Sequence, residues 1–150
     1  MKPTPTEYKG IRFRSKSEAV FAYAIEQSRV GIWVYEPFLS LPLDGYTPDF
    51  LLCIKSQKSI GAFLIELKPS KPTDTYIEEC ERRFTELTIR QDTGWLFPCC
   101  SLIYGTPFDD RFDGYKCMLW SKIGRWEEFG FSSLTKHAIA GTRHRFDLRD

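Results

Sequence analysis

Three acids and one lysine stand where their neighbours give no ordinary reason for charge. In FLIELK, residues 63–68, Glu66 and Lys68 interrupt an apolar run of Phe63, Leu64, Ile65 and Leu67. Such a run forms the centre of a sheet, where charge is costly unless it is paired or holds a metal. Glu66 and Lys68 are two apart, so on a strand they point to the same face. DFLLCI and SIGAFLIELK read as two strands joined by KSQK, a hairpin loop of ordinary length. Folding the chain back near Gln57 sets Asp49 opposite residue 65 or 66. Asp49 and Glu66 then lie side by side at the open end of the hairpin, with Lys68 one step beyond. Two carboxylates that close repel unless a proton or a cation lies between them. A divalent cation is the simple solution, and hard oxygen ligands with room for water suit Mg²⁺.

Glu18 is the third acid. Ser15-Lys16-Ser17-Glu18 has the S-x-x-E form of a capping box, in which Glu18 serves only the start of a helix. If that helix crosses the sheet, Glu18 instead joins the acidic cluster; the sequence leaves both roles open. A plainer arrangement of the other residues is a Glu66–Lys68 surface pair on an edge strand, with Asp49 capping a turn. The apolar flanks of FLIELK argue against an edge.

The elements that must position these groups follow from pattern. SKSEAVFAYAIEQSR predicts a helix over 15–30 closed by Gly31. IWVYEPFLSL is strand-like up to or across Pro37, and GYTP is a turn. After Pro69 and Pro72, residues 74–92 form a polar helix ending near Gly94. CSLIYG and YKCMLW are further strands, WEEFGF a short one, and Leu134 to Arg145 a terminal helix. Helix, three strands, helix and more strands make an α+β or mixed α/β domain with a central sheet flanked by helices, one domain over 1–150.

Composition sets limits on function. A chain of 150 residues can bury a proper core. No apolar run approaches the ~20 residues a membrane helix needs, and the start MKPTPTEYKG lacks the core of a signal peptide, so an intracellular protein is expected. The five cysteines are odd in number and form no CxxC pair, which predicts reduced thiols. A net charge of +1 means that any nucleic-acid surface must come from segregated charge.

Glu18, then Pro48-Asp49, then Glu66-Leu67-Lys68 resembles the pattern of the PD-(D/E)XK nuclease superfamily, and the flanking FRSKSE, WVYEP, GYTPDFLL and FLIELK are similar to that family's text. Over its whole length the chain resembles the small bacterial group I intron-encoded homing endonucleases of this fold. The resemblance implies a restriction-endonuclease-like core and metal-dependent, site-specific cleavage of double-stranded DNA. It assigns the divalent metal, Mg²⁺ with Mn²⁺ able to substitute, to Asp49, Glu66 and the backbone carbonyl of Leu67. Lys68 then supplies fixed positive charge beside the attacking water or the scissile phosphate, and Glu18 completes the catalytic set. No organic cofactor is implied. A restriction, repair or junction-resolving nuclease of the same fold is the nearest alternative; a DNA-binding protein with an inert acidic cluster is an alternative of another class.

For such a nuclease the expected DNA contacts are Lys9, Arg12, Arg14 and Lys16 near the start, Lys55 and Lys58 at the hairpin loop, Lys71, and Arg143 and Arg145 near the end. A domain of this size spans about one duplex turn, ~34 Å. With one acidic cluster per chain, concerted double-strand cleavage needs at least two copies; the resemblance favours a homotetramer over a dimer. Trp95 to Phe131, rich in aromatics, is the expected interface. The resemblance also implies a bacterial cytoplasmic protein, on the nucleoid when bound to DNA.

Overall fold

The structure is a computed structural model that describes residues 3–29, 31–37, 47–55, 60–89, 99–119 and 131–146. In chain order the elements are β1 (Thr6–Tyr8), β2 (Ile11–Phe13), α1 (Lys16–Ser28), β3 (Ile32–Tyr35), β4 (Phe50–Lys55), β5 (Ile60–Lys68), α2 (Asp74–Ile89), β6 (Cys99–Tyr104), β7 (Lys116–Leu119) and α3 (Phe131–Gly141). The architecture is mixed α+β. A five-stranded sheet has the order β3-β4-β5-β6-β7, beside a two-stranded β1-β2 ribbon. β5 runs parallel to β6, and the other neighbours in the large sheet are antiparallel. The β5–β6 connection contains α2, since a parallel pair needs a long crossover.

Strand alternation sorts the core onto two faces. Phe50, Leu52, Phe63, Ile65, Leu67 and Ile103 share one cluster with the buried face of α1 and with Leu134 and Ala138 of α3. Leu64 and Leu102 are also buried but point the other way. Tyr76 of α2 touches Glu66 on that second face, and Cys80 and Phe84 of α2 are buried too. Helices therefore flank the sheet on both sides, and β5 is central, which explains its apolar run. Cys53, Cys80 and Cys117 are free thiols, as expected.

Several boundaries differ from the sequence reading. α1 closes not at Gly31 but at Arg29, which takes the left-handed conformation (φ 54°) and donates its N–H to the carbonyls of Ile25 and Glu26. β3 ends at Tyr35, because Glu36 turns to φ 46° and donates its N–H to the Asp49 carbonyl. The β1–β2 hairpin was not expected at all. Its two-residue turn, Lys9-Gly10, has positive φ at both positions (51° and 76°), the requirement of a tight hairpin turn. The terminal helix starts earlier and stops sooner than 134–145, and it takes in Phe131, the last residue of the expected WEEFGF strand. The rest of that strand, the KSQK loop beyond Lys55 and the end of the 74–92 helix lie outside the described residues. No helix among the described residues is long and apolar enough to cross a membrane.

α3 approaches α1 closely at Gly141. A Cβ there would stand 2.9 Å from the Tyr23 ring and 3.2 Å from Val20. Tyr23 cannot easily yield, because its ring packs against His144 with centroids 4.5 Å apart. Alanine gains up to ~1 kcal/mol of helix propensity over glycine, but overpacking of this kind costs ~1–3 kcal/mol. Gly141→Ala is therefore expected to lower the free energy of unfolding in a urea titration, against the propensity trend.

Candidate active site

The site forms where β4 begins and β5 ends. Phe50 pairs with Ile65 in the β4–β5 register, and one further step sets Asp49 opposite Glu66. This is the placement expected from a fold-back at Gln57. Both carboxylates are buried, at 4% and 6% exposure. Asp49 Oδ2 accepts from the Leu67 N–H at 2.8 Å, so the strand backbone orients that carboxylate. Leu67, expected to lend its carbonyl, thus contacts Asp49 through its amide. Glu66 Oε1 accepts from the Tyr76 hydroxyl at 3.1 Å and faces Lys68 Nζ at 3.5 Å. The same ammonium sits 4.8 Å from the centre of the Tyr76 ring. Glu66 and Lys68 thus share a face, as their spacing requires.

Glu18 takes part in the helix cap, and its second oxygen faces the site through Arg14 and Tyr35. The Ser15 hydroxyl caps α1 by accepting from the Glu18 N–H and donates to Glu18 Oε1, each at 3.1 Å. The other oxygen, Oε2, turns toward the site, accepting from the Tyr35 hydroxyl at 2.9 Å and from Arg14 at 3.3 Å. Arg14 binds Asp49 Oδ1 at 2.5 Å and Glu36 Oε1 at 3.0 Å as well. Its Nε and backbone N–H both point to the Tyr35 hydroxyl at 3.2 Å. Tyr35 and Tyr76 were missed by sequence reasoning, since an aromatic on a strand or helix reads as core and nothing local marks its hydroxyl.

The electrostatics follow from burial. Desolvation first, and the nearby Glu66 charge second, push the Asp49 carboxyl up from 3.8 to about 7. Burial works against the charge on Arg14, but the Tyr35 hydrogen bond and the Glu18 and Asp49 carboxylates outweigh it and hold the guanidinium above its ordinary value. Burial pushes the Tyr35 phenol up to about 12. Burial and the Glu66 charge also hold Tyr76 well above the usual phenol range. Both hydroxyls therefore remain donors to their glutamates.

Among the described residues no three His, Cys, Asp or Glu side chains form a ready metal-binding group. The available donors are narrower: two carboxylates on neighbouring strands, on either side of one backbone step. That all-oxygen chemistry suits a hard divalent cation, which would offset both the burial and, second to it, the Glu66 charge that raise Asp49. Asp49 and Glu66 fit the ion; Glu18 is tied to Asp49 through Arg14.

The expected DNA-contacting residues divide by position. Arg14 is in the site; Arg12 and Lys16, both exposed, flank it in sequence. Lys71 lines a cleft of ≈ 340 Å³ at the carboxyl ends of β5 and β6, with Tyr104, Arg111 and Lys116. Lys9 is elsewhere, bound to Glu26 at 3.2 Å, two helical turns or about 12 Å along α1 from Glu18. Arg143 and Arg145 are exposed beside His144, which packs on Tyr8 and Tyr23 at that same end of α1. Lys55 ends β4, about 20 Å from Asp49, and Lys58 lies outside the described residues. No protein-family profile, no characterised protein and no solved structure matches this chain.

A pH dependence follows from Asp49. Its folded value, about 7, lies above its unfolded value near 3.8, so the folded state holds the proton longer. Its stabilising contribution is complete below about pH 3.8 and is lost as pH rises through 7. In chelating buffer, stability should fall across that window, by a few kcal/mol at most. Asp49→Asn should flatten the fall, read from urea midpoints at several pH values. An equally steep fall in the variant would remove Asp49 as its source.

Proposed function

We propose that this chain is a Mg²⁺-dependent endonuclease that hydrolyses phosphodiester bonds in double-stranded DNA on a restriction-endonuclease-like core. The observation that carries the reading is the level pairing of Asp49 with Glu66 across the β4–β5 hairpin, with Lys68 two residues beyond on the Glu66 face. The order α1, β3, β4, β5, α2, β6 is also the helix, three strands, helix, strand order read from the sequence pattern.

The bound ion would supply Lewis acidity and an activated water. The chain supplies the rest. Asp49 is aimed by the Leu67 amide and Glu66 by the Tyr76 hydroxyl, so both ligands are held before the ion arrives. Lys68 is 36% exposed at the mouth of the site, able to turn from Glu66 toward a phosphate whose negative charge grows during attack. Water oxygen bonds to phosphorus, the bond to the leaving oxygen breaks, and a proton ends on that oxygen.

The test is digestion of a random-site duplex library with Mg²⁺ and with chelator. Asp49→Ala and Glu66→Gln should abolish cleavage while DNA binding persists. Lys68→Ala should slow it by about 10²-fold or more. A variant that cuts normally would remove its residue from the site. A second reading, a DNA-binding protein with an inert cluster, draws on Arg14 and Lys68 already neutralising the carboxylates; it requires binding with no Mg²⁺-dependent cleavage.

The finer proposal is a homing endonuclease acting as a homo-oligomer, a tetramer before a dimer, because one acidic pair serves one strand. Of the proposed Trp95–Phe131 interface, 95–98 and 120–130 lie outside the described residues; in the rest, Tyr115 is core at 4% exposure, while Phe108 is 42% exposed. Light scattering at micromolar concentration, with and without DNA, should show a dimer or larger. A strict monomer that still cuts both strands together would contradict it.

A further inference from the structure

Arg14 holds an unusual position for a cation. It is 63% exposed, yet its guanidinium reaches Asp49, Glu18 and Glu36 together and rests on the Tyr35 hydroxyl. Three carboxylates from three separate segments converge on one fork. The planar guanidinium suits that task, since it cannot lose its proton and presents several donors in a fixed array. One of those donors takes Asp49 Oδ1, while Oδ2 is already held by the Leu67 amide. Both Asp49 oxygens are therefore engaged.

We propose that Arg14 is a resident counter-ion of the acidic site, and that a divalent cation must displace it from Asp49 in order to bind. The inference rests on reading Asp49 and Glu66 as the metal site. Two positive charges cannot share Oδ1 at contact distance without strong repulsion. The exposed guanidinium has water on its open side and can withdraw without a void forming. It does not leave the site, because Glu18, Glu36 and Tyr35 still hold it. Glu36 lies in the left-handed region at φ 46°, a sparsely populated conformation for a glutamate, fixed by its own N–H bond to the Asp49 carbonyl. That backbone bond keeps the Glu36 carboxylate beside Asp49, where it already binds the guanidinium and goes on holding it after Asp49 lets go. The displacement weakens metal affinity while keeping the metal-free cluster folded.

The probe is Mn²⁺, with the free ion followed by electron paramagnetic resonance, and melting in chelator as a second readout. Arg14→Gln should bind Mn²⁺ about tenfold more tightly than the natural chain, the worth of one charged hydrogen bond no longer surrendered. It should melt earlier in chelator and show a larger upward shift when Mn²⁺ is added. Arg14→Lys, a point charge without the fork, should fall between the two and serves if the glutamine variant does not fold. Asp49→Asn should lose Mn²⁺. Unchanged or weaker Mn²⁺ binding in the Arg14 variants, with Asp49→Asn still defective, overturns the displacement and leaves the metal site standing. Normal Mn²⁺ binding by Asp49→Asn overturns both.

Discussion

Asp49 and Glu66 are two carboxylates held at one level of a buried hairpin, and their mutual repulsion is the constraint around which the site is built. Neither can retreat, because the Leu67 amide fixes one and the Tyr76 hydroxyl the other. The protein answers the repulsion in parts. Asp49, through burial first and the Glu66 charge second, keeps a proton more readily than a surface aspartate. Lys68 faces Glu66, and Arg14 faces Asp49. The groups that hold the pair come from both sides of the sheet: Arg14 from between β2 and α1, and Tyr76 from α2. Positioning this pair therefore draws on both layers of the fold.

The core makes the constraint affordable. Phe50, next to Asp49, is fully buried against Phe21 and Tyr35, with ring centroids at 5.1 and 5.4 Å. Ile65 and Leu67 flank Glu66 and pack into the same cluster. Alternation along β5 thus anchors the strand with one set of side chains and offers the charged set to the opposite face. The free energy of burying these apolar neighbours offsets the cost of dehydrating the acids. Such an outlay at a sheet end, beside an open cleft, is typical of places where function rather than stability sets the residue choice.

The central hairpin was legible in the sequence because two features agreed. Apolar runs marked β4 and β5, and a short loop near Gln57 determined their register, so Asp49 and Glu66 could be paired before any coordinates. The charges inside FLIELK were legible as exceptions to a strong local rule. What failed to show was whatever depends on packing between distant segments. The β1–β2 ribbon turns on Lys9-Gly10, which lacks the usual asparagine or aspartate before glycine. Arg29 rather than Gly31 closes α1, a left-handed residue that only the surrounding structure selects. Arg14 reads as one more basic surface residue until β2 and β4 meet, and the hydroxyls of Tyr35 and Tyr76 are silent in a string of letters. Glu18 resisted a single assignment for a physical reason, since its two oxygens face different partners.

The need of the carboxylate pair for a cation can be measured directly. A carbon-13 NMR titration of the Asp49 carboxyl, assigned with Asp49→Asn, would be run in chelator and again in saturating Mg²⁺. The account predicts a midpoint near 7 in chelator, and a fall of the midpoint once Mg²⁺ is present, because the bound ion favours the charged form. A midpoint that Mg²⁺ leaves unmoved would contradict it.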